Sequence, residues 1–364
     1  LIERLGEKRA RDLLPFFPPE ASFIIPSQGH FHDLAPSLLG QQRKATGSLN
    51  SDPSVPGSNN WVVDGSKSTT GMPLLANDPH LLIGMPSIWY EVHLVAPGFN
   101  VIGVTFPGFP QVLIGHNERI AWGFTNLLAD VQDLYVEKFN PENPRQYLYQ
   151  GKWEDAELAH EEFVVRGKDE PVTKEVLITR HGPIVDSIML GMASPEVKKG
   201  LRETLALRWI GHDPYLGVQS LQGLIKLDKA GNWEEFRDAL RLFAYPSQNI
   251  VYADVEGNIG YQANGVIPIR ANGQGLVPVP GWTGEYEWIG YIPFDELPSA
   301  FNPPTHFIAT ANNKIVDEDY PYPITYDWLP PYRVRRIVQL LTAKEKLSPQ
   351  DFMEMQGDVY SLYA

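Results

Sequence analysis

The sequence predicts an α+β protein with a large mixed or antiparallel sheet, and two observations support this prediction. After residue 58, short runs of β-branched and aromatic residues follow one another, each broken by Gly, Pro or Asn. Amphipathic segments with helix-capping residues lie between the later runs. The 364 residues are enough for one large domain or two ordinary ones, and length alone does not choose between them.

The individual elements follow from these two patterns. The best helix is Trp233–Phe243, where Asn232 and Glu235 fit a capping box and Phe236, Ala239, Leu240 and Phe243 form one apolar face. A further helix begins near Ser348–Asp351, because Pro suits the first helical position and Asp the positive end. The predicted strands are Trp61–Val63, Leu74–Ala76, Tyr90–Val95, Asn100–Val104, Gln111–Ile114, Leu134–Val136, Glu175–Ile178, Ile250–Ala253 and Ile259–Gln262.

Composition argues against several classes of function. With 30 basic and 44 acidic residues the formal charge is −14, which disfavours nucleic acid and anionic membrane surfaces as partners. No apolar run is long enough for a membrane-spanning helix, so we expect no membrane span. The chain has no cysteine, which excludes disulfides, thiolate metal sites and thiol nucleophiles.

The first 57 residues differ from the rest in amino-acid composition. Leu1–Leu14 predicts an exposed helix that ends at Pro15. Residues 40–57 are polar and rich in Ser, Gly and Pro, the composition of a flexible, protease-accessible linker. We therefore place the main boundary in this linker. Because the sequence starts without Met, we expect it to be part of a longer gene product.

The linker ends in the segment Gly57–Trp61, which reads GSNNW. On its own this segment is typical of an ordinary turn, because Ser and Asn side chains bond to nearby backbone groups. The segment has a second interpretation when it is taken together with GMPLLANDPHL at Gly71–Leu81. The two together resemble the start of the β chain in the penicillin acylase family of N-terminal-nucleophile hydrolases, where a strand leads into an Asn-Asp-Pro-His type turn.

The resemblance extends, in family order, over most of the chain after the linker. What it implies is a four-layer αββα sandwich made from one precursor, a zymogen, that cuts itself into α and β chains. Residues 1–39 would then be the tail of the α-chain region, 40–57 the spacer, and 58–364 the N-terminal part of the β chain. The matching segments are Phe106–Asn126, Asp130–Tyr135, Arg180–Val185, Pro246–Tyr261, Ile267–Arg270, the VPVPGWTGEYEW run and Ala311–Lys314.

The family chemistry assigns the nucleophile to Ser58. A serine hydroxyl needs a base, and an α-amino group with a pKa near ~7.7–8.0 is suitable at neutral pH. In the uncut chain that nitrogen is an amide, so the same hydroxyl is expected to attack the Gly57 carbonyl first. Gly57 suits this step because glycine permits strained backbone angles and leaves its carbonyl open.

The other catalytic candidates are also transferred from the resemblance. His80 lies where some relatives carry a histidine that accepts a proton from the nucleophile or orients it. The alternative interpretation is a turn histidine whose ring is hydrogen-bonded to backbone groups. Asn126 and Asn249 match the oxyanion positions, the first through its main-chain N–H and the second through its side-chain amide. Arg270 matches an arginine expected to fix Asn249 or the substrate; a solvated surface arginine is the alternative.

The resemblance further implies a metal site and a substrate pocket. Asp130, Gln132 and Asp133 match calcium ligands, two carboxylates and one backbone carbonyl, and no organic cofactor is expected. Leu81 and Ile114 match pocket positions, where aliphatic walls favour a flexible acyl chain.

We therefore expect a small-molecule N-acyl amide substrate of the penicillin, cephalosporin or acyl-homoserine-lactone type, which would connect the protein to antibiotic metabolism or quorum quenching. The chain's own α-chain region is the expected partner after processing, and the family location is periplasmic or extracellular. Two alternatives were weighed. A non-catalytic protein of the same fold could bind carbohydrate or peptide through its tryptophans and tyrosines. An ordinary serine hydrolase is disfavoured, because no G-x-S-x-G nucleophile elbow is present.

Overall fold

The computed structural model describes Ile24 and residues 57–81, 84–186 and 204–362. The predicted helix at Leu1–Leu14 and the linker before Gly57 lie outside these residues. Within the described chain helices and strands are mixed, which confirms the α+β class.

Strands dominate the described chain. Those of the first half are β1 (Gly57–Val63), β2 (Leu74–His80), β3 (Tyr90–Ala96), β4 (Phe99–Thr105), β5 (Ile114–Asn117), β6 (Ile120–Asn126), β7 (Gln132–Glu137), β8 (Phe139–Asn140), β9 (Asn143–Tyr149), β10 (Lys152–Asp155), β11 (Glu157–Phe163), β12 (Val172–Thr179) and β13 (Gly182–Pro183). Those of the second half are β14 (Thr204–Trp209), β15 (Gln248–Asp254), β16 (Ile259–Ala263), β17 (Pro268–Arg270), β18 (Val279–Pro280), β19 (Trp288–Tyr291), β20 (Ser299–Phe301) and β21 (Phe307–Thr310).

The α-helices of the described residues all lie in the second half. They are α1 (Pro214–Leu227), α2 (Trp233–Leu240), α3 (Tyr332–Thr342) and α4 (Pro349–Gln356). The last begins with the predicted cap, in which the Ser348 hydroxyl accepts from the Asp351 N–H and the Asp351 carboxylate accepts from the Ser348 N–H.

The chain divides into two compact units. Of the described residues, the larger contains those up to Ala129, Tyr215–Val266 and those from Ile292 onward. The smaller contains the described residues between Asp130 and Pro214 and those of Ile267–Tyr291.

The larger unit holds an antiparallel seven-stranded sheet in the order β20-β16-β15-β6-β5-β4-β3. Helices α1 and α2 pack on one face of this sheet, because their apolar residues share a buried cluster with the strands. That cluster includes Trp122, Ile250 and Tyr252 from the sheet and Leu224, Phe236 and Leu240 from the helices.

A second sheet of the larger unit has the order β2-β1-β21 and is also antiparallel. Helices α3 and α4 pack on one of its faces. The shared core contains Trp61, Val63, Ala309 and Ala311 beside Val334, Ile337, Leu341 and Phe352. The strand β1, which begins at Gly57, is central in this sheet and is therefore bonded on both edges.

The smaller unit is built from short sheets with the orders β10-β9-β8, β11-β12-β13, β14-β7-β18 and β17-β19. Their pairings are antiparallel except for β18 against β7.

Three sequence predictions of local structure were wrong in detail. The strand expected at Gln111–Ile114 begins only at Ile114, because the Val112 N–H donates to the Asp228 carboxylate instead of to a strand. The expected turn at Asn77–His80 is part of β2, paired along its whole length with β1. Helix α2 ends at Leu240, and Glu235 accepts from the Gly231 N–H and not from the Asn232 N–H, so only half of the predicted capping box forms.

Candidate active site

Ser58 is the second residue of β1 and is 8% exposed. Both of its backbone polar groups are bonded to side chains. The Ser58 N–H donates to Asn312 Oδ1 at 2.7 Å, and the Ser58 carbonyl oxygen accepts from Arg333 Nη1 at 2.6 Å. The peptide group on each side of Ser58 is therefore held by one of two side chains that come from the distant end of the chain.

Arg333 lies at the start of α3, whose apolar face is buried against the sheet. Its guanidinium makes further bonds to Asn59 Oδ1 at 2.7 Å, to the Ala311 carbonyl at 2.7 Å and to Asn312 Oδ1 at 2.9 Å. Burial lowers the pKa of Arg333 to about 10, and the Asp78 carboxylate acts in the opposite direction. The guanidinium is consequently charged at neutral pH.

Asn312 connects Ser58 to the seven-stranded sheet. Its Oδ1 accepts from the Ser58 N–H, while its Nδ2 donates to the Asn126 carbonyl at 2.9 Å. The residue is 1% exposed and has a φ of 61°, a left-handed conformation that asparagine adopts more readily than most residues. An asparagine at this position thus satisfies both the backbone angle and the two hydrogen bonds.

Asn249 is fully buried, and its partners fix the orientation of its amide. The Tyr261 hydroxyl donates to Asn249 Oδ1 at 2.7 Å, which leaves the NH₂ group to donate to Thr125 Oγ1 at 3.1 Å and to the Asn126 carbonyl at 3.3 Å. Burial raises the pKa of Tyr261 far above its usual range, so its hydroxyl stays a donor. The predicted oxyanion donor is thus held in one orientation, with its amide hydrogens on protein oxygens.

The network continues across the two sheets of the larger unit. The Thr125 and Thr310 hydroxyls are 2.6 Å apart, and the Thr310 hydroxyl donates to Asn60 Oδ1. Asn60 Nδ2 in turn donates to the Gly123 carbonyl at 3.1 Å. Because Thr310 uses its proton on Asn60, Thr125 donates to Thr310, and the hydrogen bonds run in one direction from Asn249 to Gly123.

His80 and the Ser58 side chain lie on opposite faces of the three-stranded sheet. The register pairs Gly57 with His80 and Ser58 with Pro79. Side chains alternate along a strand, and cross-strand pairs share a face. His80 therefore shares a face with Asn59 and Asp78, whereas Ser58 shares its face with residues directed toward the other sheet.

The bonds of the His80 ring agree with this placement. Its Nε2 lies 2.9 Å from Asp78 Oδ2 and 3.3 Å from Asn59 Nδ2, which also donates to Asp78. The hydrogen bond from His80 lowers the pKa of Asp78 despite partial burial of the carboxyl. The described structure pairs His80 with a carboxylate and an amide and does not bring it to the Ser58 hydroxyl. Its predicted role beside the nucleophile stays a prediction.

The structure explains the glycine at position 57 by the space around it and not by its backbone conformation. It lies in β1 and is not among the described glycines with positive φ. A Cβ at this position would lie 2.9 Å from Arg333 Nη2 and 3.3 Å from Asn312 Oδ1. The expectation of strained angles at Gly57 is therefore wrong, and the close approach of Arg333 explains the glycine.

Arg270 belongs to the smaller unit, with the three residues predicted to bind calcium. Its Nε donates to Asp133 Oδ2 at 2.7 Å, and its Nη2 lies 3.2 Å from the Asp130 carbonyl and 3.3 Å from the Asp130 carboxylate. Trp288 Nε1 donates to the same Asp133 oxygen. Gln132 is exposed at the start of β7.

These contacts bear on the calcium prediction. Calcium needs carboxylate and carbonyl oxygens around one point, whereas here the Arg270 guanidinium already supplies the positive charge between Asp130 and Asp133. Among the described residues, no group of three or more His, Cys, Asp or Glu side chains is arranged to hold a metal ion. In the described structure a guanidinium therefore lies between the two carboxylates, and the calcium site stays a prediction.

The contacts of the remaining predicted residues do not identify a substrate pocket. Ile114 packs against the core of the seven-stranded sheet, and Leu81 directly follows β2 and is half-buried. Asn126 ends β6, where its side chain accepts from the Leu128 N–H at 2.9 Å. Whether Leu81 and Ile114 line an acyl pocket stays a prediction.

Sequence reasoning missed several residues around the site, most of them far from Ser58 in the chain. Asn312 lies in the ANNK segment, which carries the resemblance but does not by itself indicate a role for this residue. Asp78 lies in the NDPH segment, two residues before His80, and that spacing on a strand was the available signal. Arg333 and Tyr261 had no local signal. The missed residues are Asn59, Asp78, Thr125, Tyr261, Thr310, Asn312 and Arg333.

Comparisons with known proteins were consistent with one another. The sequence profile described as penicillin amidase matches residues 1–364. The chain is 36% identical over 315 residues to acyl-homoserine lactone acylase QuiP of Pseudomonas aeruginosa, covering 85% of this chain and 36% of that protein. It is 33% identical over 319 residues to penicillin acylase 2 proenzyme of Pseudomonas sp. strain SE83, covering 87% and 39%.

The fold is also similar to a solved structure, the thermostable penicillin G acylase from Alcaligenes faecalis. The TM-score is 0.70 at 32% sequence identity, with 82% of this chain and 51% of that chain covered. The chain thus spans less than two-fifths of the two curated relatives and about half of the solved chain. In the part of the chain that the structure describes, no helix is long and apolar enough to cross a membrane.

Proposed function

The chain belongs to the penicillin amidase family, and from this premise we propose that it is part of an amidohydrolase that cleaves N-acyl amides through an acyl-enzyme on Ser58. The observation that supports this most is the fixation of the Ser58 backbone. Both peptide groups around Ser58 are bonded to buried or half-buried side chains, Asn312 and Arg333, at 2.7 and 2.6 Å. An ordinary serine in a turn has no need of such partners.

We propose that the chemistry begins with cleavage of the chain itself. The Ser58 hydroxyl attacks the Gly57 carbonyl carbon, the Gly57–Ser58 C–N bond breaks, and the hydroxyl proton passes to the departing nitrogen. Water then opens the resulting ester and gives a Gly57 carboxylate, a free Ser58 hydroxyl and a free α-amine. In this scheme residues 1–39, 40–57 and 58–364 are the α-chain tail, the spacer and the start of the β chain.

Turnover uses the same hydroxyl with the new amine as base. The amine takes the Ser58 proton as the hydroxyl adds to the substrate carbonyl, and the proton then passes to the leaving amine. Asn249, whose amide is oriented by Tyr261, is the proposed side-chain donor to the tetrahedral oxyanion, and it must release one present partner to do so. The Asn126 main-chain N–H is the second proposed donor.

The larger unit also supports the finer fold proposal. Helices α1 and α2 cover one sheet, α3 and α4 cover the other, and Asn60 and Thr310 bond across to Gly123 and Thr125. We infer from these contacts a helix–sheet–sheet–helix order, the four-layer sandwich implied by the resemblance. In the same family scheme a calcium ion and a periplasmic or extracellular location are proposals that rest on the resemblance alone.

The substrate proposal follows the relatives and two residues. Relatives are named as acylases of acyl-homoserine lactones and of penicillin. Aliphatic side chains at Leu81 and Ile114 would favour a linear acyl chain over a stacked phenyl ring. We therefore propose N-acyl-homoserine lactones as the first substrate class and penicillins as the second.

The test uses protein expressed from the complete gene, beside the Ser58→Ala variant. Intact mass and N-terminal sequencing should give a chain that begins Ser-Asn-Asn-Trp for the natural protein and an uncut chain for the variant. Release of homoserine lactone or of the β-lactam nucleus then distinguishes the two substrate classes. If both proteins stay uncut while folded, the proposal fails and a non-catalytic binding protein of the same fold becomes the better hypothesis.

A further inference from the structure

Asn312 bonds to the Ser58 nitrogen and Arg333 bonds to the Ser58 carbonyl oxygen, and neither side chain has a role in the chemistry proposed above. Asn312 Oδ1 accepts from the Ser58 N–H at 2.7 Å and from Arg333 Nη2 at 2.9 Å, so the guanidinium and the nitrogen share one acceptor. Arg333 Nη1 reaches the Ser58 carbonyl at 2.6 Å. A positive charge is thus held within one residue of the nitrogen that becomes the α-amine.

We propose that Asn312 and Arg333 are a positioning pair for the Ser58 nitrogen, which aligns the Gly57–Ser58 peptide before cleavage and keeps the freed α-amine in place and neutral afterwards. This inference rests on the proposed function. It adds two positioning residues, which act through Ser58 and touch no reacting bond of the substrate.

Before cleavage, the pair restricts the peptide to one orientation. The Ser58 N–H is directed at Asn312, which is itself anchored to the Asn126 carbonyl at 2.9 Å. The left-handed backbone of Asn312, with a φ of 61°, is a conformation that persists only where surrounding contacts impose it. Intramolecular attack depends on such alignment of the reacting groups.

After cleavage, charge becomes the deciding factor. An α-amine with an ordinary pKa near ~7.7–8.0 is mostly protonated at neutral pH, so only its smaller neutral fraction can act as base. A cation within a few ångström disfavours a second positive charge, so Arg333 favours the neutral amine. Asp78 and His80 lie on the same side of the sheet as Arg333, but Asp78 is engaged with His80 and Asn59. Arg333 bonds to Ser58 directly and is therefore the dominant charge.

Gly57 supplies an independent observation. A Cβ there would lie 2.9 Å from Nη2 and 3.2 Å from Cζ of Arg333, which several hydrogen bonds hold in place. The lack of a Cβ at Gly57, directly before the scissile bond, therefore leaves room for the Arg333 guanidinium. Gly57→Ala should disturb the uncut chain in the same way as loss of Arg333 does, and should leave the cut enzyme unaffected.

The experiment compares variants of the protein from the complete gene. Arg333→Met should slow appearance of the β chain about tenfold or more, and Gly57→Ala should slow it by a similar factor. The double variant should be no slower than Arg333→Met alone, because both changes disturb the same contact. Arg336→Met is the matched control, because it removes a guanidinium of the same helix that pairs with Asp358. Normal cleavage of folded Arg333→Met, or a slowing equal to that in the control, would overturn the proposal.

The pH profile of the cut enzymes gives the second readout, which a purely structural role would not move. The acid limb of kcat/KM should shift upward by about one pH unit in Asn312→Asp, because a carboxylate beside the amine raises the pKa of the amine. Arg333→Lys, which keeps the charge, should show a limb near that of the natural enzyme. Asn312→Asp keeps the size of the side chain and its acceptor for Ser58 but loses the donor to the Asn126 carbonyl, so its folding is checked by thermal unfolding. An unmoved limb in this variant would overturn the proposal.

Ser58→Ala separates this inference from the proposed function. If Ser58→Ala is cut like the natural protein, the nucleophile assignment fails and the positioning pair fails with it. If Ser58→Ala stays whole and the natural protein is cut, the nucleophile stands, and the variants at Asn312 and Arg333 alone decide the inference.

Discussion

Asp228 follows the carboxyl end of α1, where the helix dipole disfavours a negative charge, and it is 2% exposed. One of its oxygens accepts from the Val112 N–H at 3.2 Å, and Oδ1 has no hydrogen-bond partner among the described residues. Burial raises the pKa of Asp228 to about 7. A single carboxyl group thus makes the stability of the larger unit depend on pH.

The sign of that dependence gives a prediction. The folded state holds the Asp228 proton to about pH 7, while the unfolded chain releases it near the ordinary aspartate pKa of 3.8, so stability falls as the pH rises through this interval. Asp228→Asn, which keeps the acceptor for Val112, should raise the free energy of unfolding by about 1–3 kcal/mol at pH 8 and hardly at pH 4. Urea unfolding at both pH values measures it; an equal effect at both would contradict the assignment.

Arg270 shows how a residue transferred by resemblance acquires a different set of partners in the structure. Its side chain is 5% exposed and its ion pairs go to Asp130 and Asp133. Removing one member of a buried ion pair leaves the other charge uncompensated, and that is costly.

Arg270→Met should therefore lower the free energy of unfolding by about 3–5 kcal/mol. Millimolar calcium should restore part of this loss, since the two carboxylates would then be free to bind a cation. Arg241→Met is the control, because its ion pair with Asp295 is exposed and should matter little. Full stability of Arg270→Met with loss of turnover would instead favour the catalytic role predicted from the sequence. Thermal unfolding with and without calcium provides the measurement.

Elements of the larger unit are joined by a directed chain of buried hydrogen bonds as well as by apolar packing. It starts at Tyr261 on β16, passes through Asn249 and Thr125 on β15 and β6, and reaches Thr310 on β21. A buried polar network of this kind specifies one register between sheets, because a slip would leave donors and acceptors unpaired.

Tyr261→Phe tests whether this chain also orients the proposed oxyanion donor. Loss of the hydroxyl leaves Asn249 Oδ1 without its donor and should cost about 1–3 kcal/mol of stability. The Asn249 amide can then rotate and exchange the positions of its oxygen and its NH₂ group. We therefore expect kcat to fall about tenfold or more, with a smaller change in KM. Tyr252→Phe is the matched control, a buried tyrosine of the same sheet whose hydroxyl donates to Asp254. Equal kinetic effects in both variants would count against orientation by Tyr261.

The smaller unit is organised around one buried histidine. His181 is 1% exposed, and its ring nitrogens lie 2.7 Å from Glu137 and 2.8 Å from Glu287. Tyr135 stacks on the ring at 4.0 Å, and Arg208 pairs with Glu287 at 3.0 Å. Tyr135, Glu137 and Arg208 lie on β7 and β14 of one sheet, His181 lies in the turn between β12 and β13, and Glu287 directly precedes β19. The cluster therefore connects three of the short sheets.

The charge of this cluster sets a pH window. Burial alone would lower the pKa of His181, but the hydrogen bonds and charges of Glu137 and Glu287 raise it above its ordinary value of 6.5. The hydrogen bond from His181 lowers the pKa of Glu287 below its ordinary value of 4.5. The stabilisation is therefore complete between pH 4.5 and pH 6.5 and is lost as the pH rises through the folded pKa of His181 or falls through that of Glu287.

His181→Gln should accordingly destabilise the protein most between pH 4.5 and 6.5 and least once the pH exceeds the folded pKa of His181, where the natural protein has lost the imidazolium. The midpoint of thermal unfolding across this pH range measures the difference between the two proteins. The pH-dependent contribution of Asp228 to stability cancels in this difference, because both proteins contain Asp228. A difference independent of pH would mean that the histidine acts only by packing.

The sequence by itself determined the α+β class, eight of the nine strands predicted from it, the apolar face of α2 and the cap of α4, because these depend on contacts within a few residues. Its motifs also led to the family. It placed the candidate nucleophile, but it connected Ser58 to His80 across a supposed turn, whereas the cross-strand register puts their side chains on opposite faces.

Tertiary structure alone decided which groups meet at Ser58. Asn312 and Arg333 are separated from Ser58 by 254 and 275 residues, and they reach it because β21 and α3 pack beside β1. It likewise paired Arg270 with Asp130 and Asp133. Such contacts have no periodicity or local spacing in the chain, since they arise when sheets and helices bury their apolar faces together. Local physics therefore specified the elements, and packing specified the site.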